Sequence, residues 1–290
     1  MKGHKFILSK QVQWARRKNI ALIGSKVDKG FPAYTKKLNE NLFEPLADDV
    51  IDDILKGDGG EISNKNNFPA RMNAVHSSSA LGVNIFHYWK TNHKIDNISH
   101  ACGFCAKHNK TQTNISFEQK FEISNQFNKS PNIDVIIENN NNAQFKVFAI
   151  ECKFSESYSN YKHGGIDPKY FNKDIMPLWK NMPELFDLAK RISPIDNEYK
   201  FLHPAQLIKH ILGLKNKFGK TSFRLLYLWY DVPGEEGYKH RNEIDKFKEY
   251  TKADNIKFSS ISYQELITNL ADKYYNTNEE YIDYITDRYL

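Results

Sequence analysis

The segment PNIDVIIENNNNAQFKVFAIECKF (131–154) is the most informative about the fold, because two apolar runs in it flank an asparagine-rich segment. Apolar runs on either side of an Asn-rich turn are typical of a β-hairpin. Along a strand, successive side chains point to opposite faces, so Glu151 and Lys153 share one face while Cys152 points towards the core. The turn leaves the register open, but most registers bring Asp134 beside Glu151 at one end of the sheet.

Two carboxylates this close repel each other unless a cation lies between them, and their hard oxygen atoms suit Mg²⁺. A lysine on the same face can orient or deprotonate a water molecule, or stabilise charge on a phosphate. Asp134, Glu151 and Lys153 together therefore predict metal-assisted hydrolysis of a phosphodiester. The alternative is an ordinary ion pair between Glu151 and Lys153 at a solvent-facing strand end.

The rest of the chain alternates between helical and strand periodicity. Helices are predicted in three segments of residues 1–56 and then in a buried segment, namely QVQWARR (11–17), FPAYTKKLNENLFEPL (31–46), ADDVIDDILK (47–56) and SSSALGVNIFHYWK (77–90). The later elements are predicted as strand 114–124, the hairpin, helix 204–219, strand 222–232, helix 241–252, strand 256–262 and a final helix 263–275. This order predicts an α/β (α+β) fold, with a mixed central β-sheet flanked by helices and an N-terminal helical region.

Asp134, followed after sixteen residues by Glu151-Cys152-Lys153, resembles the motif of the PD-(D/E)xK nuclease superfamily, the fold of many restriction enzymes and repair nucleases. The resemblance covers about residues 114–262. The block HSSSALGVNIFHYW (76–89) also resembles restriction-endonuclease-like bacterial proteins. By this resemblance the core is restriction-endonuclease-like, Asp134 and Glu151 would bind Mg²⁺, and Lys153 would position the nucleophilic water.

The resemblance also implies two supporting residues. Glu118 would be an upstream acid that joins the metal shell or orients a water, and Glu122 on the same polar face is the alternative. Gln206, on the helix before the next strand, would lie beside the site. His210, one turn later on the same polar face of that helix, is predicted to be a surface residue. Two features depart from the family pattern: Pro131 is not adjacent to the aspartate, and the upstream acid often lies on a helix, whereas Glu118 has strand periodicity.

Composition limits the class of protein. The chain has 290 residues, of which 40% are hydrophobic and 26% charged, which is typical of a globular protein with a sizeable core. No apolar run approaches the roughly 20 residues that span a bilayer, and no signal-peptide pattern is present, so we expect a cytoplasmic protein without a membrane partner. Three cysteines give no disulfide framework. We divide the chain into an N-terminal helical, basic region (1–110) packed on a nuclease-like core (111–290).

The net charge of +6 is concentrated at one end of the chain. Residues 1–39 contain ten Lys and Arg against one acidic residue, Asp28. A basic segment suits a polyanion, so Arg16, Arg17 and Lys18, together with Lys209 on the later helix, are predicted to contact DNA. The alternative is a solvated surface in a Lys- and Asn-rich chain.

A second group of metal-binding residue types lies outside the hairpin. Four residues of the types that bind zinc lie within nine positions, namely His100, Cys102, Cys105 and His108. Structural zinc usually takes two well-separated pairs, so a loop with reduced thiols is the alternative to a zinc site.

The sequence as a whole predicts a Mg²⁺-dependent DNA endonuclease of the restriction type. Cutting both strands of a duplex with one site per chain favours a homodimer, and the restriction interpretation raises a companion methyltransferase as a partner. Two alternatives stay open. One is a structure- or single-strand-specific nuclease of the same fold, and the other is a non-catalytic DNA-binding protein on a nuclease-like fold.

Overall fold

The computed structural model describes residues 1–26, 29–57, 60–64, 68–127, 130–160 and 163–290. Within this part of the chain, a five-stranded mixed sheet in the order β3-β4-β5-β6-β7 lies at the centre, and β1 and β2 form a separate small hairpin. The strands are β1 (Leu22–Ile23), β2 (Tyr34–Thr35), β3 (Gln112–Lys120), β4 (Asn132–Asn139), β5 (Val147–Lys153), β6 (Phe223–Trp229) and β7 (Phe258–Ser262).

The central sheet changes from antiparallel to parallel at β5. Strands β3, β4 and β5 pair antiparallel, while β5, β6 and β7 pair parallel. Strand β5 is buried from Val147 to Cys152, as expected for a strand with neighbours on both edges and helices on both faces. The predicted hairpin, the mixed sheet and the α/β class are confirmed.

Helices cover both faces of the sheet. They are α1 (Gly3–Arg17), α2 (Asp48–Lys56), α3 (Ser78–Thr91), α4 (Ile95–Ala101), α5 (Pro183–Arg191), α6 (Pro204–Phe218), α7 (Glu235–Ala253), α8 (Tyr263–Tyr274) and α9 (Glu279–Tyr289). The Ser77 hydroxyl caps α3 by accepting the Ala80 N–H, and Gly219, with φ of 82°, ends α6.

Two apolar cores lie on opposite faces of the sheet. On one face, α3, α8 and α9 pack against side chains such as Ile150 and Cys152. On the other face, α5, α6 and α7 pack against Ala149 and Tyr227. Cys152 is 1% exposed, which confirms the prediction that it faces the core. Helices of the N-terminal region share a core with the sheet, and the division at residue 110 stays a prediction.

Several helix predictions were wrong. The segment 31–46 does not form one helix, because Tyr34–Thr35 is a strand and only Leu38–Asn41 forms a 3-10 turn. Helix α8 is not the last helix, since α9 follows it and packs against α1 and α3. The predicted strand 114–124 ends at Lys120. No helix within the described ranges is long and apolar enough to cross a membrane.

Candidate active site

Three acidic residues occupy neighbouring positions on adjacent strands. Extending the β4–β5 ladder by one residue sets Asp134 opposite Glu151. On the other side of β4, the ladder pairs that flank Glu118 set it opposite Asp134 as well. The Cys152 N–H donates to Asp134 Oδ2 at 2.6 Å, so the aspartate side chain reaches the backbone of β5. The structure thus brings Asp134 and Glu151 together, as the hairpin predicted.

Glu151 is held between two nitrogen groups. Its Oε1 lies 2.6 Å from Lys153 Nζ, and its Oε2 accepts a hydrogen bond from His210 Nε2 at 2.9 Å. Burial alone would raise the pKa of this fully buried carboxyl, but Lys153 and His210 outweigh burial and lower the pKa to about 2. Burial would likewise lower the pKa of Lys153, but the negative charges of Glu151 and Glu156 raise it above its ordinary value. Glu151 is therefore anionic and Lys153 cationic at neutral pH.

Asp134 has the opposite environment. Burial raises its pKa well above the ordinary value, and the negative charge of Glu151 raises it further. Lys153 and the Cys152 N–H favour the charged form but do not outweigh these effects. An ionised Asp134 beside an ionised Glu151 is an arrangement that a nearby cation would stabilise.

Glu118 rather than Glu122 is the acid next to the pair. Glu118 has φ of 53°, a conformation that non-glycine residues rarely adopt, and its Oε2 accepts a hydrogen bond from Asn132 Nδ2 at 2.9 Å. Its charge adds to the raised pKa of Asp134. Glu122 is exposed beyond the end of β3.

The donor set fits Mg²⁺ with an incomplete protein shell. Across the described ranges, no three His, Cys, Asp or Glu side chains are grouped so that they could hold a metal ion. Mg²⁺ keeps several waters and is commonly bound by one or two carboxylates plus phosphates of the substrate. Asp134 and Glu151 could supply two such carboxylates, and a bound cation would offset the burial and the charge of Glu151 that raise the pKa of Asp134.

Two spaces adjoin these residues. Asp134 and Glu118 line a narrow cavity of about 10 Å³ together with Glu61 from the segment after α2, which is room for roughly one water molecule. A wider cleft of about 280 Å³ lies beside Lys153 and is lined also by Lys200. The lysine head group, buried beside Glu151, is thus reached from the cleft. Sequence analysis did not identify Glu61, which lies in a polar segment without periodicity.

His210 was interpreted wrongly from the sequence. We expected it on the polar face of its helix with Gln206, but His210 is 1% exposed and bonds Glu151. The available signal was its spacing from Leu207 and Leu214, which puts His210 in the buried stripe of α6. Gln206 lies one turn earlier on α6 and is partly exposed, and its role at the site stays a prediction.

The aromatic residues after β5 pack inside the protein. The Tyr158 hydroxyl donates to the Tyr230 carbonyl at 2.8 Å and therefore accepts from His240 Nδ1 at 3.0 Å. His240 Nε2 then accepts from the Tyr227 hydroxyl at 3.0 Å. Since a hydroxyl has one proton to donate, this order fixes the tautomer of His240. The buried Tyr158 therefore ties the segment after β5 to β6 and α7.

The residues predicted to bind DNA lie in different surroundings. Arg17 and Lys18 both form exposed ion pairs with Asp287 of α9 at 3.1 Å, and Arg16 is exposed. The N-terminal end of α1 meets β5, where His4 Nδ1 is 3.3 Å from the Ser155 carbonyl, so the basic end lies about 20 Å further along the helix.

Lys209 and the His- and Cys-containing segment are the remaining residues for which the sequence predicted or raised a binding role. Lys209 Nζ lies 5.7 Å from the Tyr170 ring, and burial lowers the pKa of this lysine. His100 Nδ1 is 2.7 Å from the Tyr274 hydroxyl, Cys102 is buried, and both Cys102 and Cys105 are free thiols. The structure does not bring these residues and His108 together as four ligands of one ion.

Comparison with known proteins gives one match. A family model described as Restriction Endonuclease associating with ARP matches residues 8–290. The searches of curated proteins and of solved structures gave no match. The match spans both the N-terminal region and the core.

Proposed function

The chain belongs to the family described as Restriction Endonuclease associating with ARP, and on that premise we propose that it is a Mg²⁺-dependent DNA endonuclease of the PD-(D/E)xK type. The observation that carries the proposal is the meeting of Asp134, Glu151 and Lys153 at one end of the hairpin, with Glu151 anionic and Lys153 cationic. DNA is the substrate that the family implies. A homodimer and a companion methyltransferase belong to the same proposal.

The roles of the side chains follow from their charges. Asp134 and Glu151 would hold Mg²⁺, which when bound supplies charge neutralisation at the phosphate and lowers the pKa of a coordinated water. Lys153 stays protonated because Glu151 raises its pKa, so it acts as a fixed positive charge rather than as a base. Its ammonium group would orient the attacking water and stabilise negative charge on the phosphate. His210 fixes Glu151 through Oε2 and leaves Oε1 on the side of Lys153.

The test is cleavage of plasmid DNA by the purified protein, with and without Mg²⁺, beside Asp134→Ala and Lys153→Ala. We expect cleavage only with Mg²⁺ and only by the wild type. Discrete fragments would support restriction-type cutting, whereas a smear or cutting only of single strands would favour the structure-specific alternative. Cleavage that survives both substitutions, or that needs no metal, would overturn the site assignment. DNA binding without cleavage would favour the non-catalytic alternative.

A further inference from the structure

The small N-terminal hairpin exposes lysines and aromatic rings together. We define the lysine hairpin as the described residues 22–26 and 29–37, in which the lysines are Lys26, Lys29, Lys36 and Lys37, all exposed. Phe31 is 59% exposed, the neighbouring Phe68 is 45% exposed, and Lys26 Nζ lies 5.4 Å from the Phe68 ring centre. Exposed aromatic rings interleaved with cations are suited to contact with nucleic acid.

These lysines are less compensated than Arg17 and Lys18 at the end of α1. Arg17 and Lys18 share the carboxylate of Asp287. Within the described ranges, no carboxylate forms an ion pair with a lysine of the hairpin, and the nearby Glu40 carboxylate accepts the backbone N–H of Lys37. Asp28 lies outside the described residues. The lysine hairpin therefore presents positive charge that suits a polyanion.

The lysine hairpin is connected through His76 to the segment that follows β5. Its base packs on the C-terminal half of α1 through Ala33 and Trp14. The Tyr34 ring lies 6.2 Å from the His76 ring, and the His76 carbonyl accepts a hydrogen bond from Ser155 Oγ at 3.0 Å. Ser155 follows Lys153 by two residues, so these contacts connect the base of the lysine hairpin to the segment directly after the proposed catalytic lysine.

We propose that the lysine hairpin binds duplex DNA beside the cleavage site, with Lys26 and Lys29 contacting backbone phosphates and Phe31 making an apolar contact in a groove. The inference rests on the proposed function, because it takes DNA as the substrate. Lysine contacts to phosphates make the affinity for DNA depend on the salt concentration. An aromatic contact also increases the affinity, but this contribution does not depend on salt. The two kinds of residue are therefore distinguishable in one titration series.

The experiment measures binding of a fluorescent DNA duplex by anisotropy, over a range of salt concentrations and in EDTA. The variants are Lys26→Gln/Lys29→Gln and Phe31→Ala, with Lys252→Gln/Lys257→Gln as a matched control on exposed lysines at the end of α7 and directly before β7. We expect the lysine pair to make the plot of log affinity against log salt shallower by about 2, since each phosphate contact contributes about 0.9. Phe31→Ala should weaken binding about tenfold without changing the slope. The control should match the wild type.

Each contrary outcome separates the two proposals. If the wild type binds DNA and both hairpin variants bind with wild-type affinity and slope, the hairpin proposal is wrong while the proposed nuclease function stands. If the wild type binds but does not cleave, the nuclease function fails and the hairpin proposal is judged on the variants alone. A wild type that binds no DNA would overturn both. Light scattering that shows Phe31→Ala dissociating a dimer, with unchanged DNA binding, would assign the surface to a second copy of the chain.

Discussion

The facing carboxylates of Asp134 and Glu151 have pKa values shifted in opposite directions. Glu151 has the Lys153 ammonium group at Oε1 and the His210 ring nitrogen at Oε2, whereas no cation of the described residues lies that close to Asp134. Lys153 and His210 stabilise the charge of Glu151, so that residue is ionised in the folded protein. Asp134 gains one backbone N–H and keeps the repulsion of its neighbour. In the proposed metal site, Asp134 is the carboxylate whose charge the fold itself leaves less compensated.

Asp134→Asn should therefore change how stability depends on pH. A carboxyl with a raised folded pKa binds its proton more tightly when folded, so wild-type stability falls as pH rises from the unfolded pKa of about 3.9 through the folded value. Asn cannot titrate and keeps an oxygen for the Cys152 N–H. In EDTA, the variant should melt above the wild type at about pH 8 and closer to it at about pH 5. A melting-temperature difference that is the same at both pH values would contradict the assigned pKa shift.

His210 should act by positioning Glu151. His210→Leu removes the hydrogen bond to Oε2, and groups that orient metal ligands typically contribute about 10- to 100-fold in metal affinity or activity. We expect slower cleavage and a higher Mg²⁺ concentration for half-maximal rate, with an unchanged circular dichroism spectrum. Gln206→Leu, one turn earlier on α6, is the comparison variant and tests the sequence-based prediction. Impaired cleavage in Gln206→Leu but not in His210→Leu would assign the role to Gln206.

At the scale of elements, β5 places a buried ion pair at its carboxyl end. Glu151 is 0% exposed and the side chain of Lys153 is 15% exposed. Removing one partner of a buried ion pair leaves the other charge buried without compensation, which destabilises the fold. Removing both charges avoids that cost.

Glu151→Gln should lower the free energy of unfolding by about 3 kcal/mol, because Lys153 remains charged in a buried position. The double variant Glu151→Gln/Lys153→Met should recover most of that loss while remaining inactive. Urea denaturation of the two variants and the wild type measures both effects. A double variant less stable than the single one would show that the pair itself stabilises the fold.

The elements of the site were predictable where periodicity and turn chemistry agreed. The hairpin of β4 and β5 follows from alternation around an Asn-rich turn, and α6 follows from its apolar stripe and the Gly219 end. His210 was assigned to the wrong face because it was grouped with the polar Gln206 instead of the buried spacing around it. The segment 31–46 has helical composition, but Tyr34 pairs with β1 and the backbone of Ala33 pairs with Val75.

In the molecule as a whole, contacts between residues far apart in the chain determine which side chains are buried, and local sequence patterns do not predict them. Arg288 of α9 is fully buried, and its guanidinium donates to the Asn41 carbonyl and to Gln11 of α1. The burial of Arg288 has no local signal in the sequence, because its partners are about 250 and 280 residues away in the chain. The same limit applies to the lysine hairpin, whose proximity to β5 depends on contacts of His76.

Calorimetric titration of Mg²⁺ into the metal-free protein tests whether Asp134 and Glu151 together hold the ion, as proposed. The wild type and the surface control Lys252→Gln/Lys257→Gln should give the same saturable binding, because the control leaves the carboxylate pair intact. Asp134→Asn should lose that binding while remaining folded, since the substitution removes one of two charges without removing the hydrogen bond to Cys152. Wild-type affinity for Mg²⁺ in Asp134→Asn would show that the Asp134 carboxylate does not hold the ion.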